Sequence, residues 1–297
     1  MPTKNRAIIL VHIAIAMFGS ASIFGKLIDQ HVFVLVAGRV LFAALITGLY
    51  FLFSKTSIKL NSKKDYGIIF LMGFILAIHW IAFYHSIQIS TVAIALLTFS
   101  TCPIFATFLE PLFFDEKIQK SDIIVAIIAF IGVAIVIPKI DFSDAVFWGV
   151  LEGVFSGFTF ALVSILERKH VKHYSGLVIS FYEQVIVFVI LLPLAIFIGV
   201  KPMGISQIST FILFSIVFTL FSRLLYISGL KGVSAQTAGV ITCLEPLYGA
   251  ILAALIFSEI PTHRELIGGA IILSAVCYSS IKAMNKNKAK SELPTNM

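Results

Sequence analysis

The sequence predicts an all-α integral membrane protein with ten transmembrane helices, laid out as two inverted five-helix repeats with both termini in the cytoplasm. Three observations predict it. Of 297 residues, 59% are apolar and 12% charged, with a mean hydropathy of +1.02, whereas soluble domains carry roughly a quarter charged residues. The apolar residues fall into runs that approach the about 20 residues a bilayer-spanning helix needs, with most of the charge between them. The chain also aligns with itself at an offset of 143 residues. Ten spans leave about ten residues per connection, so no separate soluble domain fits.

Taken in order, span one (7–25) follows Lys4 and Arg6 and stops at Lys26. This opening imitates a signal peptide but is read as a retained first span. Span two (32–53) runs to the loop of Lys55, Lys59, Lys63 and Lys64, and span three (66–87) to the short link Gln88–Ser90. Span four (91–113) precedes Lys117 and Lys120, span five (122–137) stops at Lys139, and span six (146–166) stops at Arg168, Lys169 and Lys172. Span seven (177–199) stops at Lys201 and span eight (208–229) at the link Lys231–Ser234. Span nine (235–257) is separated by Arg264 from span ten (265–282), and a lysine-rich tail follows. Such short links force neighbouring helices to run antiparallel and in contact. Cys102, Cys243 and Cys277 sit inside apolar runs without metal-ligand or disulfide spacing and are read as small apolar residues.

Orientation follows from the cations. Of the 22 Lys and Arg, sixteen fall on the side of the termini, four (Lys26, Lys139, Lys201, Arg264) on the other, and Arg39 and Arg223 lie within spans. The positive-inside rule therefore places both termini in the cytoplasm. The same bias accounts for the +7 net charge through a tail anchored at anionic headgroups. It needs no nucleic acid, whose binders gather their cations on a polar face.

At the offset of 143, Ala95, Pro103, Leu109, Leu112, Phe114 and Glu116 fall on Ala238, Pro246, Leu252, Leu255, Phe257 and Glu259, Lys26 on Lys169, and Trp80 on Arg223. A mid-span Pro and a Glu just after the span are not products of apolar composition. The chain divides into a first repeat (1–140, spans one to five), a second (141–285, spans six to ten) and the tail (286–297). Five spans per half is odd, so the second half enters the membrane inverted, with Glu116 inside and Glu259 outside. Inverted repeats of this kind give secondary transporters two interconvertible states, with the solute site near the midplane.

The segments Thr98-Phe99-Ser100-Thr101-Cys102-Pro103 and Phe113-Phe114-Asp115-Glu116, Leu244-Glu245-Pro246-Leu247 and Phe257-Ser258-Glu259-Ile260-Pro261, with Gly268-Gly269 after them, resemble the EamA family of the drug/metabolite transporter superfamily. Arg39 and His79-Trp80 are similar to members of that family as well. The resemblance covers essentially the whole chain and implies a ten-helix carrier of small metabolites in the bacterial inner membrane, commonly an exporter of amino acids or related compounds. Its motifs do not name a solute.

All six Asp residues lie in connections or at span ends, which argues against enzymes that bind pyrophosphate through Mg²⁺ and clustered aspartates. No nucleotide-binding loop, metal site or cofactor site is expected. The charges inside spans are Arg39, Glu110, Glu152, Glu183, Arg223 and Glu245, and each costs at least about 2.5 kcal/mol near the bilayer centre unless paired or hydrated. At 1.5 Å per residue, Arg39 lies about 10 Å and Glu152 about 9 Å below the outer face, which suggests one structural pair. Arg223, about 22 Å from outside, and Glu183, about 9 Å from inside, match as a second, and Glu110 snorkels to the cytoplasmic side.

Glu245, about 15 Å deep, has no cation at its level. Pro246 after it, like Pro103 in span four, frees a carbonyl of the preceding turn. Two readings stand: Glu245 binds a solute amine or carries a coupling H⁺, or it hydrogen-bonds to a Ser, Thr or Tyr of a neighbouring helix. Trp80 and Tyr84 share a helix face and, with Arg223 and Glu245, would suit a zwitterionic or amphipathic metabolite; plain packing is the competing reading. His79 and His85 read first as buried neutral histidines satisfied by one hydrogen bond, with a place in the pocket or a proton relay as the competing reading. Ser22, with Gly19, Ser20 and Gly25, forms a small, mildly polar face of span one that permits close packing or lines a pocket, as do Ser156, Gly157 and Thr159 in span six.

Spans five and ten lack strongly polar side chains and are expected to pack peripherally or mediate a homodimer, for which Gly268-Gly269 would serve. The expected function is secondary active export of a small metabolite by alternating access, with the bilayer, the solute and H⁺ as partners. The alternatives are an uptake carrier or exchanger for a nucleotide-like or S-adenosylmethionine-like solute and, in another class, a non-transporting subunit or a membrane enzyme.

Overall fold

The computed structural model describes residues 4–114, 118–170, 174–230 and 241–292, and among these there is no strand. The helices are α1 (Lys4–Ala21), α2 (Phe24–Leu27), α3 (Val32–Ser54), α4 (Lys63–Ile89), α5 (Val92–Phe99), α6 (Cys102–Leu109), α7 (Lys120–Val136), α8 (Ala145–His170), α9 (Gly176–Ile198), α10 (Ile205–Ser215), α11 (Ser222–Leu230), α12 (Glu245–Phe257) and α13 (His263–Glu292). Among the described residues, eight segments are long and apolar enough to cross a membrane: Asn5–Leu27, Val32–Ser54, Lys63–Ile89, Val92–Leu112, Ala145–Glu167, Gly176–Ile198, Ile205–Tyr226 and His263–Lys282. The expected spans five and nine correspond to the shorter α7, of 17 residues, and α12, of 13. The start of span nine, the Lys231–Ser234 link, Ala238, Lys172 and the Asp115–Lys117 segment with Glu116 lie outside the described residues.

Local chemistry sets the helix ends. Ser62, Thr91 and Ser175 accept hydrogen bonds from Asp65 N, Ile94 N and Val178 N at the starts of α4, α5 and α9, as N-cap residues do. Gln119 and Asp122 cap α7 reciprocally. At the other ends Lys55 and Ser258 adopt left-handed φ of 52° and 57°, and Gly199 takes φ 88°. In the loop after α7, Ser143 and Lys139 donate to Asp141 and hold its carboxyl down to about 2.

Among the described residues, four spans depart from straight helices. Span one breaks at Ser22–Ile23, where Ser22 Oγ donates to Gly19 O at 2.6 Å and competes for a helical carbonyl. Span four turns at Ser100–Thr101 and span nine at Cys243–Leu244, 143 residues later, and a proline stands early in the helix that resumes each. Span eight contains a π-helical turn over Ile216–Phe221. Beyond the expected end of span ten, α13 continues through the lysine-rich segment to Glu292.

Packing runs mostly between the two halves. α4 lies on α8 and α9, α3 on α9 and α10, α1 on α11 and α12, α5 on α8 and α12, and α7 on α13. Large apolar side chains such as Phe53, Ile127, Ile196, Phe197 and Leu255 stay exposed, as a lipid-facing belt requires. The Gly268-Gly269 pair does not face outward. A Cβ on Gly268 would sit 2.6 Å from Gly132 O, and one on Gly269 2.9 Å from the Leu97 side chain. These glycines bring α13 against α7 and α5 within one chain, so a dimer contact through spans five and ten would use other residues.

Candidate functional site

A buried guanidinium sits in a cage of rings. Arg39, on α3, is 7% exposed. Its Cζ lies 4.5 Å from the Trp80 ring centroid, 4.8 Å from Phe214 and 5.4 Å from Tyr84. Nε donates to Thr219 Oγ1 and Nη1 to Tyr84 Oη, both at 2.9 Å. Thr219 stands on the π turn and donates to Phe214 O at 3.0 Å, the i−5 carbonyl. Such turns recur at functional sites; this one aims the threonine oxygen at Arg39. Ser215 Oγ clamps Arg39 O at 2.6 Å and fixes α3 to α10. Nη2 has no hydrogen-bond partner among the described residues, and no carboxylate reaches the group.

The depth match of Arg39 with Glu152 does not become a contact. Glu152 instead accepts from His85 Nδ1 at 2.8 Å. Matching depth fixes height and leaves direction open: α8 packs on α4, α5 and α6, whereas α3 packs on α9 and α10. The other pair is brought together, since Arg223 Nη2 lies 3.1 Å from Glu183 Oε2 and also meets Glu167 Oε1. Glu167 escaped the sequence reading because span six was ended just before it; the helix continues to His170.

Glu245 opens α12 directly after the span-nine turn and is 9% exposed. Its carboxylate has no hydrogen bond or ion pair among the described residues. It lies within electrostatic range of Tyr84 on α4, Cys102 on α6 and Tyr226 on α11, groups that belong to both halves. A Cβ on Gly19 would stand 2.5 Å from Glu245 O, and one on Gly249 2.9 Å from Gly19 O; the two glycines let α1 cross α12 at backbone distance. Ser22 packs on Gly249 with its hydroxyl committed to Gly19 O. Pro103, in the first turn of α6, stands beside a matching crossing, where a Cβ on Gly157 would lie 2.9 Å from Phe99 O. His79 contacts Ser156 Oγ at 2.9 Å among the rings of Phe83, Phe99 and Phe160.

The Arg39 cage and the Arg223 pair occupy corresponding places. Trp80 and Arg223 are 143 residues apart, and position 182, next to Glu183, lies 143 after Arg39. One location joins spans two and three by a cation–π contact, the other joins spans seven and eight by an ion pair.

The EamA-like transporter family matches residues 5–137 and again 146–281. The chain belongs to that family. The EamA-like protein is 24% identical to the uncharacterized transporter YxxF of Bacillus subtilis (strain 168), over 97% of this chain and 94% of that one. It is 28% identical to an S-adenosylmethionine uptake transporter of Rickettsia felis (strain ATCC VR-1525 / URRWXCal2), over 73% of each chain. A solved crystal structure shares its fold with a TM-score of 0.64 at 14% identity, covering 94% of this chain and 98% of that one. Together with the apolar helices, these findings make the chain a multi-pass transporter-family protein of the bacterial plasma membrane. Of the EamA-like protein's central residues, sequence reasoning reached Arg39, Trp80, Tyr84, Arg223, Glu183 and Glu245. It missed Glu167, Phe214, Thr219 and Tyr226, although the hydroxyls of Thr219 and Tyr226 stand inside the expected span eight and Glu167 directly follows span six.

Proposed function

We propose that this EamA-like protein is a secondary active carrier and not an enzyme, moving an amino-acid-type metabolite by alternating access between two inverted five-span repeats with cytoplasmic termini. The duplication is supported by the two family matches, the turns 143 residues apart, and the packing. Exchanging the halves turns the contact of span three with span six into that of span eight with span one. It likewise turns span four on six into span nine on one, and span three on seven into span eight on two, and each of these contacts exists.

The observation that carries the solute class is a pair of charges unmatched among the described residues: Arg39, whose Nη2 has no hydrogen-bond partner there inside its ring cage, and Glu245, which has no ion-pair partner there. A carboxylate on Arg39 and an ammonium at Glu245 would match both, with Trp80 and Tyr84 beside them for an apolar or cationic side group. Pro103, Pro246 and Ser22 shape the crossings around this space and leave the solute to Arg39, Glu245 and the rings. S-adenosylmethionine, the solute named for the Rickettsia felis relative, carries a carboxylate, an ammonium, a sulfonium and an aromatic base, and fits this description. That relative favours uptake or exchange over the export common in the wider family.

A thermal-shift screen of the purified protein against S-adenosylmethionine and the amino acids tests the reading, because a ligand stabilises by mass action. A hit that disappears in Trp80→Ala and in Glu245→Ala supports it, and one unaffected by both refutes the site. Counterflow from preloaded vesicles then separates exchange from one-way movement.

A further inference from the structure

A second cluster of ionisable groups lies beside the proposed solute residues, within electrostatic range of Arg39 and linked to Glu245 through Tyr226. Glu167 of α8, Glu183 of α9 and Arg223 of α11 converge on one guanidinium nitrogen. Two carboxylates against one cation leave a net negative charge inside the protein. Glu183 is 1% exposed, and its Oε1 is buried with no hydrogen-bond partner among the described residues, as is Nε of Arg223. A buried carboxylate oxygen with no donor is costly, and two carboxylates at one site relieve both problems by taking up one proton. The groups that act on the cluster are Arg223 itself and Tyr226 from α11, Glu167 from α8, and Arg39 from α3, which acts on Arg223. Among the described residues, α4 and α1, packed against α8, α9 and α11, add no titratable group that acts on Glu183 or Arg223.

We propose that Glu167 and Glu183 share one exchangeable proton over Arg223, and that this triad is the proton-binding site of the carrier, leaving Glu245 to the solute. The use of the proton rests on the transporter reading; its presence does not. With the orientation drawn from the cations, Glu183 is about 9 Å from the cytoplasmic end of its helix. The Glu167 side chain remains 22% exposed, which gives the proton a route to water. Release converts a neutral triad into one of net charge −1, and uptake reverses it.

Infrared difference spectra of the purified protein in nanodiscs, between mildly alkaline and mildly acidic pH, detect protonated carboxyl groups without any solute. The expected result is a carboxylic C=O band that weakens in Glu183→Gln and in Glu167→Gln and is unchanged in Glu152→Gln. A full band in both triad variants overturns the proposal. Glu167→Gln keeps the Glu183–Arg223 pair and serves if Glu183→Gln does not fold. In vesicles with S-adenosylmethionine as probe, a pH gradient should accelerate wild-type uptake but not that of Glu167→Gln, while counterflow persists. Gradient-driven uptake surviving in that variant overturns the coupling role. If the band behaves as expected but wild-type vesicles move neither S-adenosylmethionine nor amino acids, the carrier reading fails and the proton site stands.

Discussion

Arg39 Cζ lies 4.5 Å from the centroid of the Trp80 ring, and the guanidinium has no acidic partner among the described residues. Three rings and two hydrogen bonds hold the guanidinium in place, but none of them supplies a counter-charge, which an incoming anion would. Trp80→Ala should weaken solute binding by roughly tenfold, the equivalent of about 1.4 kcal/mol, and Trp80→Phe by less. Arg39→Lys should lose more than Trp80→Phe, because an ammonium cannot bond Thr219 and Tyr84 in the geometry of the fork. Calorimetric titration with the strongest ligand of the screen measures this. Equal affinities in all three variants would place the solute elsewhere.

The partner of Glu152 can be tested by double-mutant cycles. His85→Ala and Glu152→Gln should couple, and Arg39→Ala and Glu152→Gln should add. The His85 and Glu152 side chains are 40% and 28% exposed, so screening by solvent keeps the coupling to at most about 1 kcal/mol. Thermal unfolding of the four proteins in each cycle reads it. Coupling between positions 39 and 152 with none between 85 and 152 would contradict the observed pairing.

That pair marks where sequence reasoning stops. Depth is legible because every helical residue adds a fixed rise, and it placed Arg223 and Glu183 at one level. Direction around the helix depends on which neighbours pack where, and this sent Glu152 to His85. The turns of spans four and nine carry a visible signal in Pro103 and Pro246, whereas the break at Ser22 comes from a hydroxyl bonding Gly19 O, which serines inside straight helices also do. Ending span six before the charged run that opens at Glu167 discarded that residue. The π turn that presents Thr219 has no sequence signature, since it is one residue of local underwinding in an apolar run.

Gly268 should tolerate nothing larger. Its Cβ would meet Gly132 O, a backbone atom, at 2.6 Å, so Gly268→Leu must push α13 from α7, at about 1–3 kcal/mol as for other overpacked contacts. Gly67, with nothing within 4 Å of its Cβ site, is the control: Gly67→Ala should raise stability by up to about 1 kcal/mol through helix propensity. Thermal unfolding gives both values, and native mass measurement in detergent gives the oligomeric state. If Gly268→Leu changed subunit number without loss of stability, the glycine face would be an interface between copies.

Lys26 and Glu259 tie together the ends that the cation bias places outside. Lys26 Nζ donates to Glu259 Oε1 and to Ser90 O, the latter at 3.0 Å, while Glu259 Oε2 accepts from Val92 N at 3.2 Å. One carboxylate thus joins the end of α2, the start of α5 and the end of α12. A carrier that alternates must release this knot whenever its outer side opens. Glu259→Gln keeps an acceptor for Val92 N but loses the ion pair, worth at most about 1 kcal/mol at this partial exposure, and should raise the outward-open population by up to about fivefold. A cysteine introduced as Ser90→Cys reports the shift through its rate of labelling by a membrane-impermeant thiol reagent in right-side-out vesicles. Labelling should speed up in Glu259→Gln and again in Lys26→Met, with no further gain when the two are combined, because both remove the same contact. Additive acceleration would mean that the two residues act on the outer end independently.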